Sequence, residues 1–443
     1  MPRRRTRKIP EGTFEAQIEG FCHDGRGMAH IDGRVIFVDG GLPGERVELE
    51  YTELKRDFAE ANVLRVLQAS PLRREPQCEY FRRCGGCSFQ HVDPQYQIGI
   101  KQQILEDQFR RIGKLEDIHF WPPIGGPFWG YRRKARLGVK YVAKKQRVLV
   151  GFREKASRFL TDMGHCEILD PRVGNKLTEI AELVGSLSIR DRIPQIEVAL
   201  GDATGALVFR NLAEPDSNDW MRLEDFGRSH EFAIYLQPKG PDSLVPVFER
   251  ESGGLRYALH AHGLTMEFDA LQFTQVNVEI NRSMVDRAIA LLNPGPEDRV
   301  IDLFCGIGNF TLPIARYANQ VLGVEGSAQL IRQAEANVRV NEIDNASFRV
   351  ADLARDLSGE DWCRESYSLA LLDPPRTGAE EILHYFPAWG VGRIVYISCN
   401  PSTLARDSAI LTRELGYRIQ GAGVMDMFPQ TSHVESIALF EKD

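Results

Sequence analysis

No stretch of this chain approaches the ~18 consecutive apolar residues that a membrane-spanning helix needs, so a membrane-embedded protein is not expected. Cysteine is sparse: eight in 443 residues, unevenly scattered. The basic start, Met1 to Lys8, is followed by polar residues rather than an apolar core, so it does not read as an export signal. Together these absences argue against a disulfide framework and for a reducing compartment, with the cytosol the default. There is no internal repeat and no low-complexity tract. What is present is ordinary for a globular chain, 43% hydrophobic and 26% charged, and the length suits two or three domains.

A net charge of −7 looks wrong for a nucleic-acid binder until it is divided. From Asp269 to Asp443 there are 24 acidic and 15 basic residues, whereas the rest of the chain is slightly positive. Within that rest, Tyr131 to Arg158 holds eleven Lys/Arg against one acid, Glu154. Field near a surface follows local charge, so this stripe is a candidate for holding RNA or DNA phosphates. The tail, residues 1–12, reads either as a solvated extension or as a phosphate-binding arm.

Residues 13–70 alternate short β-like runs (Phe14 to Glu19, Arg34 to Val38, Glu45 to Tyr51, Glu60 to Leu67) with glycine turns at Gly40, Gly41 and Gly44. That spacing predicts a small closed barrel. Residues 71–268 form a second region: a cysteine cluster, a helical pattern over Gln95 to Arg111, then mostly strands interrupted by one helix near Asn175 to Leu187. From 269 to 443 helix and strand alternate, the signature of a parallel α/β sheet. Strands are expected at Arg299 to Phe304, Gln320 to Val324, Ala346 to Val350, Leu369 to Leu372 and Arg393 to Ile397. A terminal pair is expected near Ile419 to Asp426 and Val434 to Phe440.

In the α/β region, Arg299-Val-Ile-Asp-Leu-Phe runs into Cys305-Gly-Ile-Gly-Asn309 and then into a helix. Glycines there let backbone amides approach a ligand, and an acid at the tip of the next strand, Glu325, suits both ribose hydroxyls. Asp352, one strand further, is placed for an adenine amino group. The fuller Gly-x-Gly-x-x-Gly of dinucleotide enzymes is missing, which favours S-adenosylmethionine over NAD. Asp373, in the stiff Asp-Pro-Pro-Arg376 loop, is placed to orient substrate or the methionine end of the cofactor.

Cys399, in Ile-Ser-Cys-Asn-Pro401, sits just past another strand at the same sheet edge. A thiolate there can add to carbon 6 of a uracil and so make carbon 5 nucleophilic enough to take a methyl group. Glu435 in Ser-His-Val-Glu-Ser is the expected base for the carbon-5 proton, with His433 its rival. Cys78, Cys84 and Cys87 form a close triplet, and Cys166 supplies a fourth thiol. Four thiolates suit a [4Fe–4S] cluster or a tetrahedral zinc, and the lack of a second Cys-x-x-Cys arm favours iron–sulfur. Arg82, Arg83, Arg132 and Arg133 flank these segments.

Taken together, these residues resemble the bacterial RNA uracil-C5 methyltransferases, most closely the 23S ribosomal RNA group (RlmD/RumA), over nearly the whole chain. The resemblance implies a TRAM barrel at 13–70 and an iron–sulfur, RNA-binding central domain at 71–268, with 95–125 packing on the catalytic domain. It implies a Rossmann-like, S-adenosylmethionine-dependent methyltransferase domain at 269–443. Cluster ligands would be Cys78, Cys84, Cys87 and Cys166. The S-adenosylmethionine contacts would be Gln275, Phe304, Asn309, Glu325, Asp352 and Asp373. The nucleophile would be Cys399 and the base Glu435, with Phe273 walling the flipped base. A monomer acting on 23S ribosomal RNA is expected. Two rivals are a transfer-RNA or dual-specificity uracil methyltransferase, and a non-catalytic RNA-binding or chaperone protein.

Overall fold

The computed structural model describes residues 9–22, 24–250 and 253–442, so most of the basic tail expected to meet phosphates lies outside the described residues. Six strands make the first unit: β1 (Phe14–Gln17), β2 (Gly20–Phe21), β3 (Gly27–Ile31), β4 (Arg34–Asp39), β5 (Arg46–Leu54) and β6 (Phe58–Gln68), ordered β1-β5-β6-β4-β3-β2. The segment through β1 and β2 leaves β5, where Ile18 N–H bonds Glu45 O, and joins β3, where Glu19 N–H bonds Met28 O. That switch closes the sheet on itself around Ile18, Ala29, Ile36, Val38, Val47 and Leu49, leaving no free edge. At its foot the buried Glu45 accepts two bonds from Arg73 and the N–H groups of Leu42 and Ser70. This tethers the barrel to the segment that follows.

The second unit holds β7 (Lys134–Val142), β8 (Arg147–Gly151), β9 (Gln195–Leu200), β10 (Gly205–Arg210), β11 (Phe232–Gln237) and β12 (Val245–Phe248), ordered β12-β11-β10-β9-β7-β8. Two helices cover it. Leu177–Ser186 buries Leu177, Ile180, Leu183 and Val184 at helical spacing. The other, Ser217–His230, was not anticipated, because its sequence is mostly polar. Its signal is the reciprocal capping of Asp216 and Asp219, which satisfies two end amides.

A hairpin, β13 (Leu255–Leu259) and β14 (Leu264–Phe268), leads into the third unit and is stitched to its helix Ala328–Val340. Asn337 bonds the amide and carbonyl of Glu267, and Asn341 does the same at Thr265. The third sheet contains β15 (Arg299–Leu303), β16 (Gln320–Glu325), β17 (Ala346–Val350), β18 (Leu369–Leu372), β19 (Arg393–Ser398), β20 (Tyr417–Met425) and β21 (Glu435–Lys442). Their order is β17-β16-β15-β18-β19-β21-β20, with β21 antiparallel to both neighbours and the first five strands parallel. Alternate residues feed two apolar layers, Ile301, Leu303, Leu372 and Tyr396 on one face and Val300, Leu371, Val395 and Ile397 on the other, as burial on both faces requires. Among the described residues no helix is long and apolar enough to cross a membrane.

The helix Pro94–Gln108 precedes the second sheet in the chain yet packs against the helix Pro401–Arg413 and β20 of the third. Asp93 caps it and Pro94 opens it.

Candidate active site

Where β15 ends, the chain bends back through left-handed conformations at Phe304 (φ +64°), Gly306 (+56°) and Gly308 (+89°). The N–H groups of Phe304 and Cys305 both point at the Val324 carbonyl, closing the bend against β16. Glu325, at the tip of β16, is held by the Gly306 N–H at 3.3 Å and the Ser327 N–H at 2.9 Å. Asn309 is braced from outside the sheet: its oxygen accepts the Tyr257 hydroxyl at 2.8 Å and the Asn281 amide at 3.1 Å, while its own amide returns a bond to Asn281. Beneath the bend Asp302 is fully buried with one oxygen bonded to Thr311 and the other unpartnered, and burial pushes its carboxyl up to about 7.

These groups open onto a cavity of about 330 Å³ lined by Tyr257, Phe273, Gln275, Phe304, Asn309, Glu325 and Asp373, among others. Five of the six sequence-predicted cofactor residues therefore meet in one space. Asp352 does not: it is exposed just beyond β17 and ion-paired with Arg355 at 2.8 Å. Phe273 is 68% exposed at the cavity mouth.

At the same carboxyl edge the half-buried Cys399 follows β19 and Glu435 begins β21. Ser398 pairs with Ser436 across these antiparallel strands, which sets Cys399 beside Glu435. Asn400 caps the next helix through the Ser402 N–H and donates to the Arg376 carbonyl, tying the cysteine turn to the loop after β18. Burial pushes the Cys399 thiol up to about 11, Glu435 and Asp373 push the same way, and Arg376 opposes them. Asp373 is pushed up to about 8 by burial and then by its carboxylate neighbours Glu435 and Asp302. Neighbouring carboxylates thus favour the protonated form of Asp373, as like charges do.

One Arg376 nitrogen lies 3.0 Å from His433 Nδ1 and 3.4 Å from its Nε2, and that Nε2 lies 3.6 Å from Glu435, so the imidazole stands between the guanidinium and the carboxylate.

Cys78, Cys84, Cys87 and Cys166 are all buried and all free thiols. Burial pushes Cys87 up to about 12 and Cys166 up to about 11, and each is raised further by the other members of the group. Among the described residues, however, no group of three or more His, Cys, Asp or Glu closes around a single metal ion.

The basic stripe is less free than its composition implies. Arg133 pairs with Asp202 at 2.6 Å, Arg136 with Glu197 at 2.6 Å, Lys145 and Arg147 with Asp162, and Lys155 with Asp39. Lys134 donates to the Ala270 carbonyl, and burial pulls it down to about 8. Lys140, Lys144, Arg153 and Arg158 remain exposed. Sequence reading missed Tyr257, Asn281 and Arg376 as parts of the site. Only Arg376 carried a signal, as the last residue of the Asp-Pro-Pro-Arg loop.

The family model described as tRNA (Uracil-5-)-methyltransferase matches residues 218–443, and the TRAM domain model matches residues 12–64. Proteins named 23S rRNA (uracil(1939)-C(5))-methyltransferase RlmD are similar over the full length. That of Methylococcus capsulatus is 52% identical over 99% of both chains, and that of Alkalilimnicola ehrlichii 50% identical over 99% of both. Among solved structures, the Pyrococcus abyssi tRNA (uracil-54, C5)-methyltransferase in complex with S-adenosyl-L-homocysteine superposes with a TM-score of 0.72. It is 22% identical and the match covers 96% of this chain and all of that one, a likeness of fold.

Proposed function

This chain belongs to the RNA uracil-C5 methyltransferase family, and on that premise we propose that it methylates carbon 5 of a uridine in 23S ribosomal RNA. The observation that carries the reading is Cys399 and Glu435 side by side at the strand ends, next to Asp373, which lines the cavity behind the glycine bend. S-adenosylmethionine, when bound, supplies an electrophilic sulfonium methyl. Glu325 suits its ribose hydroxyls, while Gln275, Phe304, Asn309 and Asp373 line the remaining space.

In this scheme the target uridine is flipped from its stack to expose one ring face, with Phe273 as a wall beside it. The Cys399 thiolate bonds to carbon 6, and the electron pair of the ring double bond moves to carbon 5. Carbon 5 takes the methyl as the methyl–sulfur bond breaks toward sulfur. Glu435 then removes the carbon-5 proton, that electron pair restores the double bond, and the carbon 6–sulfur bond breaks to return the thiolate.

We assign Cys78, Cys84, Cys87 and Cys166 to a [4Fe–4S] cluster. Four buried thiols, three of them with proton affinity raised by burial, suit the cationic core of such a cluster. Such a cluster would brace the fold of the cysteine loop. Iron and sulfide analysis of anaerobically purified protein should find a cluster that the Cys78→Ser variant lacks. The RNA grip falls to the barrel and the exposed cations of the stripe, and a ribosomal RNA substrate suits a cytoplasmic enzyme.

Methylation of 23S ribosomal RNA from a strain lacking the protein, compared with its transfer RNA, tests the substrate. Methyl transfer to transfer RNA alone would overturn it. Cys399→Ala should abolish transfer and keep RNA affinity, whereas Glu435→Gln should accumulate a denaturation-resistant RNA–protein adduct.

A further inference from the structure

Three distant parts of the chain meet on Arg132, two residues before β7 begins. Its backbone bridges Leu169, just beyond Cys166, on one side and Asn277, just beyond the cavity-lining Gln275, on the other. Its half-buried side chain reaches the catalytic loop. There the guanidinium carbon lies 6.0 Å from the centre of the Phe152 ring and 5.9 Å from that of Phe428. Phe428 meets His433 edge-on, ring centres 4.6 Å apart, and His433 lies 3.6 Å from Glu435. The Arg132 Nε donates to the Lys134 carbonyl at 3.1 Å, which orients the guanidinium. Its two terminal nitrogens have no acid partner among the described residues.

The neighbouring cations are already matched. Arg133 pairs with Asp202 at 2.6 Å, Lys134 donates to the Ala270 carbonyl, and Arg376 lies against His433. Lys101, fully buried on the helix Pro94–Gln108, donates to Asp426 at 2.6 Å and to the Phe428 carbonyl at 2.9 Å. Arg132 is thus a cation held at the approach to Cys399 and Glu435 with donors to spare. A uridine turned out of its stack brings its backbone along, so the flanking phosphates arrive at this approach with it. The catalytic region itself is acidic, with 24 acids against 15 bases from Asp269 onward, and repels them. A guanidinium fork matches phosphate oxygens, and aromatic neighbours favour its charge. We propose that Arg132 clamps a backbone phosphate flanking the flipped uridine, with its two terminal nitrogens donating to the phosphate oxygens beside Phe152 and Phe428. The mechanism above does not use Arg132, and this inference rests on RNA being the substrate.

The test combines two variants of the full chain with a 23S ribosomal RNA fragment carrying the methylated uridine. In that fragment the phosphates flanking the uridine are replaced, one at a time, by neutral methylphosphonates. Arg132→Met keeps an apolar stem beside the rings and removes the charge, whereas Arg132→Lys keeps the charge and loses the fork. Arg132→Met should bind the unmodified RNA about tenfold more weakly, the loss expected for one charged contact. Its affinity should also fall less steeply with salt, by about one phosphate. Arg132→Lys should keep the salt slope. In the unaltered protein one of the methylphosphonates should weaken binding by about tenfold, and in Arg132→Met the same replacement should cost nothing further. Calorimetric binding of S-adenosylmethionine should be unchanged in both variants. Wild-type affinity and slope in Arg132→Met overturn the proposal, as do equal methylphosphonate penalties in both proteins. Weaker binding at an unchanged slope would mean that the guanidinium meets a base, and overturns it too. No RNA binding by the unaltered protein overturns the functional reading, and this proposal with it.

Discussion

Ser398 stands opposite Ser436 in the β19–β21 ladder, and the Ser436 hydroxyl donates to the Ser398 carbonyl at 3.2 Å. One step along, the same register puts a thiol against a carboxylate. Side chains in strands alternate faces, so a slip of a single residue would send every neighbour to the wrong side. The pairing of nucleophile and base therefore starts from strand register, and the turn that Asn400 ties to the Arg376 carbonyl completes it.

The Cys399 thiol should be a slow nucleophile in the resting protein. With burial and two acids pushing it up to about 11, the thiolate is scarce at neutral pH, and alkylation should accelerate with pH until that value. Arg376 opposes the shift, so Arg376→Gln should slow alkylation further at any pH below it. Iodoacetamide labelling followed by mass spectrometry measures both.

Asn309 should matter to the cofactor chiefly through its bracing. Tyr257→Phe removes one hydrogen bond to it and should weaken S-adenosylmethionine by about 0.5–1.5 kcal/mol. Asn309→Ala also strands Asn281 and should weaken it more. Titration calorimetry separates the two, and equal losses would mean that Tyr257 acts elsewhere.

Glu45 holds the barrel's foot through four accepted bonds, two buried and two part-buried. Glu45→Gln leaves the partly exposed Arg73 poorly matched and should destabilise the barrel by about 1–3 kcal/mol, the cost of losing hydrogen bonds to a charged group. Chemical denaturation should show an early barrel transition, and RNA affinity should fall while S-adenosylmethionine affinity holds.

The α/β sheet was legible because its signals are local: apolar runs of strand length, a glycine turn after the first, and an acid after the second. Phe304, Asn309, Glu325 and Asp373 converge for that reason, since open sheets gather their strand tips at one edge, whereas Gln275, just before the helix Val278–Leu292, was expected only from the family resemblance. Asp352 shows the limit, for a correct strand end does not fix a side chain that finds Arg355 one turn away. The charge stripe misled for a different reason. Composition counts cations along the chain, but Asp39, Asp162, Glu197 and Asp202 come to them from elsewhere in the fold. Lys101 was equally hidden, because nothing in a helical pattern tells which lysine will be swallowed by a domain more than 300 residues away.

The placement of β21 between β19 and β20 has a consequence for the order of assembly. Two strands made earlier must leave a gap that only a later one fills, so the sheet cannot be completed piecewise from its amino end. Until that gap is filled, Cys399 has no partner to finish the reaction it would begin. Because β21 also closes the sheet that holds the cysteine turn, the topology makes capture and release arrive together.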